Sequence, residues 1–451
     1  MSDQLTTLAV VGLGKLGAPM AACLAAEGYT VIGVDVDVEK VTAINEGRAP
    51  VFETGLEEML QQSGDRLTAT TDLEDAVRRS QMTFVVVATP SDEAGGFSLR
   101  WVLPACESIG RVIRERDDFH TVVLTSTVMP GSTDGAVREA LEQASGKRCG
   151  EDFGLCYSPE FIALGSVIRD FLAPDFLLVG ESDERAGNAL ESVYRRTVAA
   201  QAPIARMNFV NAEVAKLSVN TFVTTKIAYA NMLARICEKL PDADVDVVTD
   251  AIGLDTRIGK KYLRGTISYG GPCFPRDNVA LATLARTLGA PAFVAEATDS
   301  ANRDGILRLA DLVESRLPED GVVAVLGLSY KPNTDVVEES PGLLLLGELA
   351  ARGVDAVGYD PAANDNAARA LDGSARLSDS LDDAASSADV VVIATAWDEF
   401  ARLEPSLLER AGQRRVVIDC WRVLPQESFE QAVEYVVLGK GELSREAVAL
   451  D

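Results

Sequence analysis

A thiol and a carboxylate four residues apart are the clearest sign of chemistry in this sequence. The stretch Tyr269–Asp277 reads YGGPCFPRD, and its glycines Gly270 and Gly271 allow a ligand to approach the backbone closely. Cys273 stands just before a helix that begins with proline, and a thiol at a helix N-terminus is biased towards the nucleophilic thiolate. Asp277 lies one helical turn further on and can reach the same site. The other interpretation is a small buried cysteine with a helix-capping aspartate.

Three more polar residues could assist such a nucleophile. Lys216 and Asn220 are four residues apart on a predicted helix, and therefore share one face. A lysine there either acts in a site or extends its ammonium group to solvent. Glu160, in the motif SPEF, follows a predicted strand at Phe153–Cys156, and taken alone it is a solvated surface group. These residues support a catalytic site only in combination with Cys273.

The N-terminal segment carries a dinucleotide-binding pattern in the right structural context. Gly12–Gly17 reads GLGKLG, directly follows a predicted strand and opens a helix. The first glycine makes the turn, Gly14 lets the backbone approach a pyrophosphate, and the third lets helix and strand pack. Asp35 ends the next strand, where a carboxylate binds ribose hydroxyls and repels the additional phosphate of NADP. The pattern predicts NAD binding; the alternative is a glycine turn in a Rossmann-like fold that binds nothing.

Strands that alternate with helices must position these groups in the first third of the chain. The apolar runs that predict strands there are Leu8–Val11, Thr30–Asp35, Thr83–Ala88 and Thr121–Ser126. Such alternation predicts a parallel, doubly wound sheet. Thr89 and Thr127 follow two of these strands, at the edge where ligands bind in open α/β sheets. Taken alone, each threonine is more simply a capping or turn residue.

The rest of the chain contains a helical middle and a second α/β region. From Asn211 to Leu240 the sequence has helical periodicity with neither proline nor glycine, and the β/α alternation restarts at Gly321. We therefore predict an α/β fold with two Rossmann-like, doubly wound parallel-sheet domains, joined by a long central helix and a helical middle domain. The predicted domain boundaries are 1–205, 206–305 and 306–451.

Composition excludes several classes of function. Asp and Glu number 69 and Lys and Arg 42 among 451 residues, and the resulting charge of −27 repels nucleic acid and anionic membranes. The apolar runs are too short to span a bilayer, and no signal peptide is indicated. Seven scattered cysteines, an odd number without a CxxC pair, suit the reducing cytoplasm and disfavour disulfides and zinc. Because His120 is the only histidine, proton transfer must use Lys, Asp, Glu, Cys or water.

Taken together, these residues resemble the UDP-glucose/GDP-mannose dehydrogenase family, from about Leu8 to Phe429. The motifs occur in the family's order: GLGKLG, TSTVMPG, SPEF, Lys216 with Asn220, GGPCFPRD, LGLSYKPNTD, YDP and ATAWDEF. The Cys-Phe-Pro-basic-Asp version is most similar to the branch that oxidises UDP-glucose, since the acetamido-sugar branch typically has His where this chain has Pro272. The resemblance implies an NAD-dependent enzyme that oxidises the C6 alcohol of a nucleotide sugar, UDP-glucose before others, to the uronic acid.

The resemblance also implies a role for each chemical group. Asp277 and a bound water remove the hydroxyl proton, and Cys273 traps the aldehyde as a thiohemiacetal that becomes a thioester. Glu160 activates or positions water for hydrolysis of the thioester, and Thr127 helps to hold that water. A second NAD takes the second hydride, so the implied reaction is a four-electron oxidation.

Binding residues follow from the same resemblance. Lys216 and Asn220 supply positive charge and a hydrogen bond where oxyanion character develops. The implied cofactor contacts are Gly12, Gly14, Lys15, Leu16, Gly17, Asp35, Lys40, Thr89 and Thr127, with no metal. The implied substrate contacts are Phe161, Lys216, Asn220, Arg257, Tyr262, Tyr269, Gly270, Lys331 and Arg422. The C-terminal domain would hold the uridine diphosphate, the central helix would pair two subunits into a homodimer, and Arg257 could reach in from the neighbouring subunit.

Several positions depart from the family pattern and keep the sugar open. They are Pro272, where many relatives have Ser, Leu164 for a polar residue, Glu338 for an Arg, and Cys420-Trp421 where relatives tend to have Gly-Arg. The same oxidation of GDP-mannose or a UDP-N-acetylhexosamine is one alternative. A two-electron β-hydroxyacid dehydrogenase would need neither Cys273 nor Glu160. An NAD-binding scaffold predicts a damaged site, whereas every candidate position here is filled.

Overall fold

The structure is a computed structural model that describes residues 5–198, 202–410 and 414–441. It divides into two compact units, Met1–Ser218 and Val219–Asp451, and each unit contains one β-sheet. Continuous runs of valine, leucine and isoleucine form the strands because both faces of each sheet are covered by helices. The predicted fold class is confirmed.

Among its described residues, the first unit contains eight strands and eight α-helices, and a ninth α-helix begins in it. The strands are β1 (Thr7–Val11), β2 (Thr30–Val34), β3 (Leu67–Thr70), β4 (Met82–Val85), β5 (Thr121–Leu124), β6 (Gly154–Tyr157), β7 (Leu177–Glu181) and β8 (Ile204–Met207). The helices are α1 (Gly17–Ala26), α2 (Val38–Asn45), α3 (Leu56–Ser63), α4 (Leu73–Arg79), α5 (Val102–Glu115), α6 (Arg138–Ser145), α7 (Val167–Leu172), α8 (Glu184–Thr197) and the start of α9 (Phe209–Cys237).

The strands of the first sheet follow the order β3-β2-β1-β4-β5-β6-β7-β8. The pairs from β3 to β6 are parallel, whereas β7 runs antiparallel to β6 and β8 is parallel to β7. The order of the first six strands is that of a dinucleotide-binding fold, in which the strand order reverses between β1 and β4. Ligands bind outside the carboxyl ends of the strands at this reversal, which we call the first switch point.

Helix α9 contains 29 residues, begins in the first unit and ends in the second. The predicted long central helix is therefore confirmed, and its length follows from the absence of glycine and proline in this part of the chain. Within the described residues, no helix is both long and apolar enough to cross a membrane.

In the part of the second unit that the structure describes, the end of α9 is followed by eight further α-helices and six strands. The helices are α10 (Val245–Ile252), α11 (Phe274–Thr287), α12 (Phe293–Arg316), α13 (Pro341–Ala351), α14 (Asn364–Leu371), α15 (Leu381–Ser387), α16 (Pro405–Leu408) and α17 (Gln426–Ala432). The strands are β9 (Val322–Leu326), β10 (Asp355–Tyr359), β11 (Arg376–Leu377), β12 (Val390–Ile393), β13 (Val416–Asp419) and β14 (Glu434–Val437).

The second sheet is parallel throughout and has the order β11-β10-β9-β12-β13-β14. This order repeats that of β1–β6, with the reversal between β9 and β12 as the second switch point. Val323 and Val325 of β9 pack in one core cluster, and Ala324 and Leu326 pack in another. Alternate residues of a strand point to opposite faces, so this sheet has a core on each side, as a doubly wound fold requires.

Candidate active site

The loop between β1 and α1 is built around two glycines that have no room for a side chain. Gly12 has a φ of +100°, and a Cβ atom there would lie 2.7 Å from the carbonyl oxygen of Val86. A Cβ atom on Gly17, where α1 begins, would lie 1.8 Å from the Gly12 oxygen. Nothing lies within 4 Å of a Cβ atom on Gly14, so the backbone there is open to a ligand. Open backbone before a helix N-terminus fits the pyrophosphate of a dinucleotide.

The predicted ribose-binding carboxylate stands beside this loop. Asp35 follows β2, and its carboxylate accepts hydrogen bonds from the backbone N–H of Leu13 at 2.7 Å and of Asp37 at 2.9 Å. The Lys40 ammonium lies 3.7 Å from the Asp35 carboxylate and 3.9 Å from that of Asp37. These contacts hold Asp35 at the first switch point. Lys15 and Leu16, the other predicted cofactor contacts in the loop, are half-buried.

The second unit repeats the glycine geometry at its own switch point. Gly327, directly after β9, has a φ of +100°, and a Cβ atom there would lie 2.5 Å from Thr395. A Cβ atom on Gly342 would lie 1.9 Å from the Gly327 oxygen. The corresponding carboxylate, Asp360, is buried and accepts the N–H groups of Leu328 and Ser329, each at 2.8 Å. Asp360 also accepts the Ser329 hydroxyl at 2.8 Å, so its buried carboxylate holds its own loop, whereas Asp35 is only half-buried.

Two threonines join the ends of neighbouring strands in the first sheet. The Thr89 hydroxyl donates to the carbonyl of Thr127 at 2.7 Å, so both predicted residues lie at the carboxyl edge of the sheet. The loop after Thr127 is held by Glu213 of α9, which is buried and accepts the N–H groups of Gly131 at 2.6 Å and Thr133 at 2.8 Å. Burial raises the pKa of Glu213, and these hydrogen bonds oppose the rise. Sequence reasoning missed Glu213, although it lies three residues before Lys216 on the same helix.

Glu160 and Lys216 meet in the first unit through the backbone of the SPEF motif. The Lys216 ammonium donates to the carbonyl of Glu160 at 2.6 Å and lies 4.5 Å from the ring centroid of Phe161. Lys216 is 6% exposed, so it does not extend to solvent. Burial raises the pKa of Glu160 to about 7, and the positive charge of Lys216 opposes the rise. A carboxyl group with this pKa can exchange a proton near neutral pH.

Cys273 differs from the other cysteines of the chain. All seven lie in the described residues; Cys273 is exposed, and the six others are buried. Burial raises the pKa of Cys23 to about 12 and that of Cys149 to about 11, which makes those thiols inert. Cys273 is the N-cap residue of α11, and Pro275 lies in the first turn, as the sequence predicts. The helix N-terminus favours a thiolate at this position.

Asp277 and Asn220 form a buried pair in the second unit. The Asn220 amide donates to the Asp277 carboxylate at 2.6 Å, and the two side chains are 9% and 3% exposed. The N–H of Asp277 bonds to the carbonyl of Cys273 at 2.8 Å, which is the predicted single helical turn. The structure therefore brings three of the predicted residues together: Cys273, Asp277 and Asn220.

The backbone that leads to the thiol is held by two asparagines that sequence reasoning missed. Asn302 of α12 makes a reciprocal pair with Tyr269, accepting its N–H at 2.8 Å and donating to its carbonyl at 2.9 Å. Asn278 donates to the Tyr269 hydroxyl at 3.1 Å. A Cβ atom on Gly270 would lie 2.1 Å from the Glu339 carbonyl, and Gly271 has a φ of +90°. Only glycines fit here, which is the close backbone approach that the sequence predicts.

Arg257 and Tyr262 lie on an exposed loop of the second unit. The Arg257 guanidinium pairs with Asp255 and is 86% exposed. Tyr262 is exposed with a φ of +61°, and its ring contacts the edge of Phe274 at a centroid distance of 6.3 Å. The Lys226 ammonium bonds to the carbonyls of residues 258, 259 and 261 and so supports the loop. Arg257 is therefore available to another molecule.

The remaining substrate candidates have different environments. Lys331, in the loop after β9, is half-buried, with its ammonium 5.9 Å from the Tyr330 ring centroid. Arg422 pairs with Asp244 at 2.9 Å and with Asp246 at 3.0 Å. The carboxylates of Asp244 and Asp246 already neutralise the charge of Arg422. Lys331 lies at the second switch point.

The positions that depart from the family pattern have identifiable contacts in the second unit. The backbone carbonyl of Glu338 accepts the N–H of Gly271 at 3.0 Å, and its side chain is exposed. Trp421 donates from Nε1 to the carbonyl of Ala394 at 2.8 Å, next to the buried Cys420. The Trp421 side chain therefore supports the local backbone, whereas the contact at Glu338 uses only its main chain. Leu164 and Pro272 are half-buried.

The single histidine belongs to the core. His120 is fully buried and shares a hydrogen bond of 2.9 Å with the Thr83 hydroxyl, and burial lowers its pKa to about 3. It therefore stays neutral and does not act as a base. The part of the chain that the structure describes contains no group of three or more His, Cys, Asp or Glu arranged to hold a metal ion.

The first glycine loop and Asp35 define the class of NAD-dependent dehydrogenases. Sequence models of the UDP-glucose/GDP-mannose dehydrogenase family match its NAD-binding domain at residues 6–198, its central domain at 210–304 and its UDP-binding domain at 324–426. The chain belongs to the UDP-glucose/GDP-mannose dehydrogenase family. It is an NAD-dependent nucleotide-sugar dehydrogenase that acts at C6.

Individual relatives include proteins with different sugars. A UDP-glucose 6-dehydrogenase of Haloferax volcanii is 38% identical, over 92% of this chain and 97% of that protein. A GDP-mannose 6-dehydrogenase of Pseudomonas aeruginosa is 33% identical, over 94% and 98%. The structure of a UDP-glucose dehydrogenase from Pyrobaculum islandicum matches with a TM-score of 0.88 and 33% identity, covering 96% of this chain and 98% of that one.

Proposed function

We propose that this enzyme oxidises the C6 alcohol of UDP-glucose to the carboxylate of UDP-glucuronate. The Haloferax relative and the CFPRD motif support this sugar. The observation that carries the mechanism is the exposed thiol of Cys273 at the start of α11, one turn before Asp277. NAD, when bound, accepts a hydride in each of two successive oxidations, so four electrons leave the substrate. One water molecule supplies the second carboxylate oxygen.

The first unit would hold the cofactor. The loop Gly12–Gly17 would bind the pyrophosphate at the start of α1, and Asp35 the ribose hydroxyls. The negative charge of Asp35 also disfavours the phosphate of NADP. Thr89 and Thr127, hydrogen-bonded to each other at the carboxyl edge of the sheet, would contact the nicotinamide end.

In the first oxidation, the C6 hydroxyl proton passes to Asp277 through a water molecule. Lys216 and Asn220, one turn apart on α9, stabilise the negative charge that develops on the oxygen. The resulting aldehyde is then attacked by the Cys273 thiolate. A C–S bond forms, the carbonyl oxygen takes up a proton, and the product is a thiohemiacetal.

In the second oxidation, the thiohemiacetal loses its hydroxyl proton and a hydride from C6, which leaves a thioester on Cys273. Glu160 then takes a proton from water, and the water oxygen bonds to the thioester carbon. The C–S bond breaks, and the thiolate is regenerated. The pKa of Glu160, about 7, suits a base that works at neutral pH.

We further propose the division 1–205 for cofactor binding, 206–305 for catalysis and dimerisation, and 306–451 for the uridine diphosphate. Lys331 at the second switch point would contact the nucleotide sugar.

Exposed apolar residues along α9, such as Phe222 at 68% and Tyr229 at 49%, support a homodimer through this helix. Phe222→Asp should then give a monomer in light scattering. All seven cysteines are reduced thiols, which supports action in the reducing cytoplasm.

GDP-mannose is the second candidate substrate. The Pseudomonas relative covers 94% of this chain at 33% identity, so the same chemistry on a guanosine nucleotide stays open. The two substrates differ in the base and at C2 of the sugar, far from the reacting C6. The mechanism above therefore applies to either.

A product count tests the function directly. Purified protein is mixed with NAD and, separately, UDP-glucose, GDP-mannose and a UDP-N-acetylhexosamine, and NADH and sugar acid are quantified. Two NADH and one acid per UDP-glucose support the proposal. Turnover of GDP-mannose but not of UDP-glucose would identify GDP-mannose as the substrate instead. One NADH per sugar without acid would contradict the thioester mechanism.

A further inference from the structure

The loop that carries Glu160 is held by a carboxylate from a distant part of the chain. Glu53, between α2 and α3, accepts the backbone N–H of Gly165 at 2.7 Å and of Val167 at 2.9 Å. Glu53 is 8% exposed, and a buried carboxylate is tolerated only where hydrogen bonds replace its hydration. Residues 165–167 and Glu53 therefore depend on each other.

Other contacts fix the same loop without touching the Glu160 carboxylate. Lys216 binds the Glu160 carbonyl at 2.6 Å, and the N–H of Ala163 donates to Asp170 at 3.2 Å. Gly165 has a φ of +82°, a conformation that only glycine adopts easily. Lys216 thus holds the backbone at the Glu160 end of the loop, and Glu53 holds the backbone at the Gly165–Val167 end.

We propose that Glu53 is a positioning residue for thioester hydrolysis. By fixing residues 165–167, it keeps the Glu160 carboxylate directed at the water that attacks the thioester. The inference rests on the proposed role of Glu160. Neither hydride transfer uses Glu160, and Glu53 holds the end of the loop that lies away from Phe161 and the Lys216 contact. Loosening residues 165–167 should therefore slow mainly the step that follows the second hydride transfer.

Two variants loosen the loop from opposite sides. Glu53→Gln keeps the shape of the side chain, but its amide NH₂ faces a backbone N–H, so one hydrogen bond is lost. Gly165→Ala strains the same segment because of its positive φ. Asp183→Asn is the matched control, since Asp183 caps α8 of the same unit by accepting the N–H of Ala186 at 3.0 Å.

The test follows the first turnover after rapid mixing with excess NAD and UDP-glucose. In both loop variants we expect an unchanged burst of two NADH per active site, followed by a steady rate reduced about tenfold. Mass spectrometry of quenched enzyme should show the sugar acyl group on Cys273. The pH midpoint of the steady rate should fall below that of the wild type, because a loosened loop hydrates Glu160.

Two other results would overturn the inference. One is a burst and a steady rate that fall in parallel, as for a loss of folded enzyme; the other is both unchanged. Asp183→Asn should show neither acyl-enzyme nor a shifted pH midpoint. If Glu53→Gln does not fold, Gly165→Ala decides by the same criteria. Failure of the proposed function is distinct, because the wild-type enzyme would then not yield two NADH per sugar.

Discussion

The side-chain amide of Asn220 donates a 2.6 Å hydrogen bond to the carboxylate of Asp277, and both groups are buried. Asn220 lies one turn after Lys216 on α9, and Asp277 lies one turn after Cys273 at the start of α11. One hydrogen bond therefore links the helix that carries the proposed oxyanion groups to the helix that begins at the proposed nucleophile. Such a link fixes the proton acceptor Asp277, and the thiol one turn before it, relative to Asn220.

Replacement of Asn220 by alanine should reduce both activity and stability. The buried Asp277 carboxylate would lose a donor, which costs about 1–3 kcal/mol in the free energy of unfolding. Loss of an oxyanion-stabilising group should lower kcat about 100-fold. Steady-state kinetics and denaturant unfolding measure the two effects.

Asn231→Ala provides the control on the same helix. Asn231 accepts the N–H of Thr266 at 2.8 Å and donates to the carbonyl of Ile267 at 3.1 Å, so its loss should reduce stability alone. A kcat that falls equally in Asn220→Ala and Asn231→Ala would contradict a catalytic role for Asn220.

The sequence predicts the elements whose signal is local. Buried strands such as β1 and β12 are apolar runs, and α9 is long because nothing in its sequence interrupts a helix. The reversal of β7 and the two-residue strand β11 carry no such signal. Strand direction and edge pairing depend on contacts between residues far apart in the sequence, which periodicity does not record.

The same limit applies to the active site: contacts between residues close in the sequence are predictable, and contacts between distant residues are not. Cys273 and Asp277, four residues apart, are correctly predicted to be one turn apart in a helix that Pro275 helps to start. That Lys216 binds the backbone carbonyl of Glu160 was not predictable, because 56 residues separate them. Glu53, 112 residues from Gly165, could not be found for the same reason.

The proposed base makes the rate depend on pH near neutrality. Burial raises the pKa of Glu160 to about 7, and only the ionised carboxylate can accept a proton from water. The hydrolysis rate should rise with pH and level off above about pH 7. Glu160→Gln should remove this limb and accumulate acyl-enzyme, whereas Glu151→Gln, at an exposed position, should retain it. A wild-type limb that survives in Glu160→Gln would assign it to another group.

The same shift predicts a change in stability. The folded-state pKa of Glu160 lies above the ordinary value of 4.5, so the folded protein binds this proton more tightly than the unfolded chain. Its contribution to stability is complete below about pH 4.5 and is lost as pH rises through about 7. Glu160→Gln should therefore gain stability relative to the wild type between about pH 5 and about pH 8. The free energies of unfolding of Glu160→Gln and the wild type, measured at about pH 5 and about pH 8, test this. A difference between the two proteins that is the same at both pH values would contradict it.

Cys273→Ser should stop the reaction before the acid is released. A serine hydroxyl is far less ionised than the thiol, so the aldehyde is not trapped and acid formation should fall about a thousandfold. Cys237→Ser removes a buried thiol from the same unit and should keep two NADH per sugar with some loss of stability. NADH counts and chromatography of the sugar products measure the outcome. Unchanged acid formation in Cys273→Ser would exclude the thioester.

Gly14 and Gly17 separate ligand binding from packing within one loop. A methyl group on Gly17 would lie 1.8 Å from the Gly12 oxygen, so Gly17→Ala should destabilise the protein by about 1–3 kcal/mol. A methyl group on Gly14 meets nothing within 4 Å, so Gly14→Ala should keep the melting temperature. The methyl group would instead occupy the space that the backbone leaves for a pyrophosphate, and the KM for NAD should rise about tenfold. Thermal melts and NAD titrations distinguish the two variants, and unaltered NAD affinity in Gly14→Ala would mean that the pyrophosphate binds elsewhere.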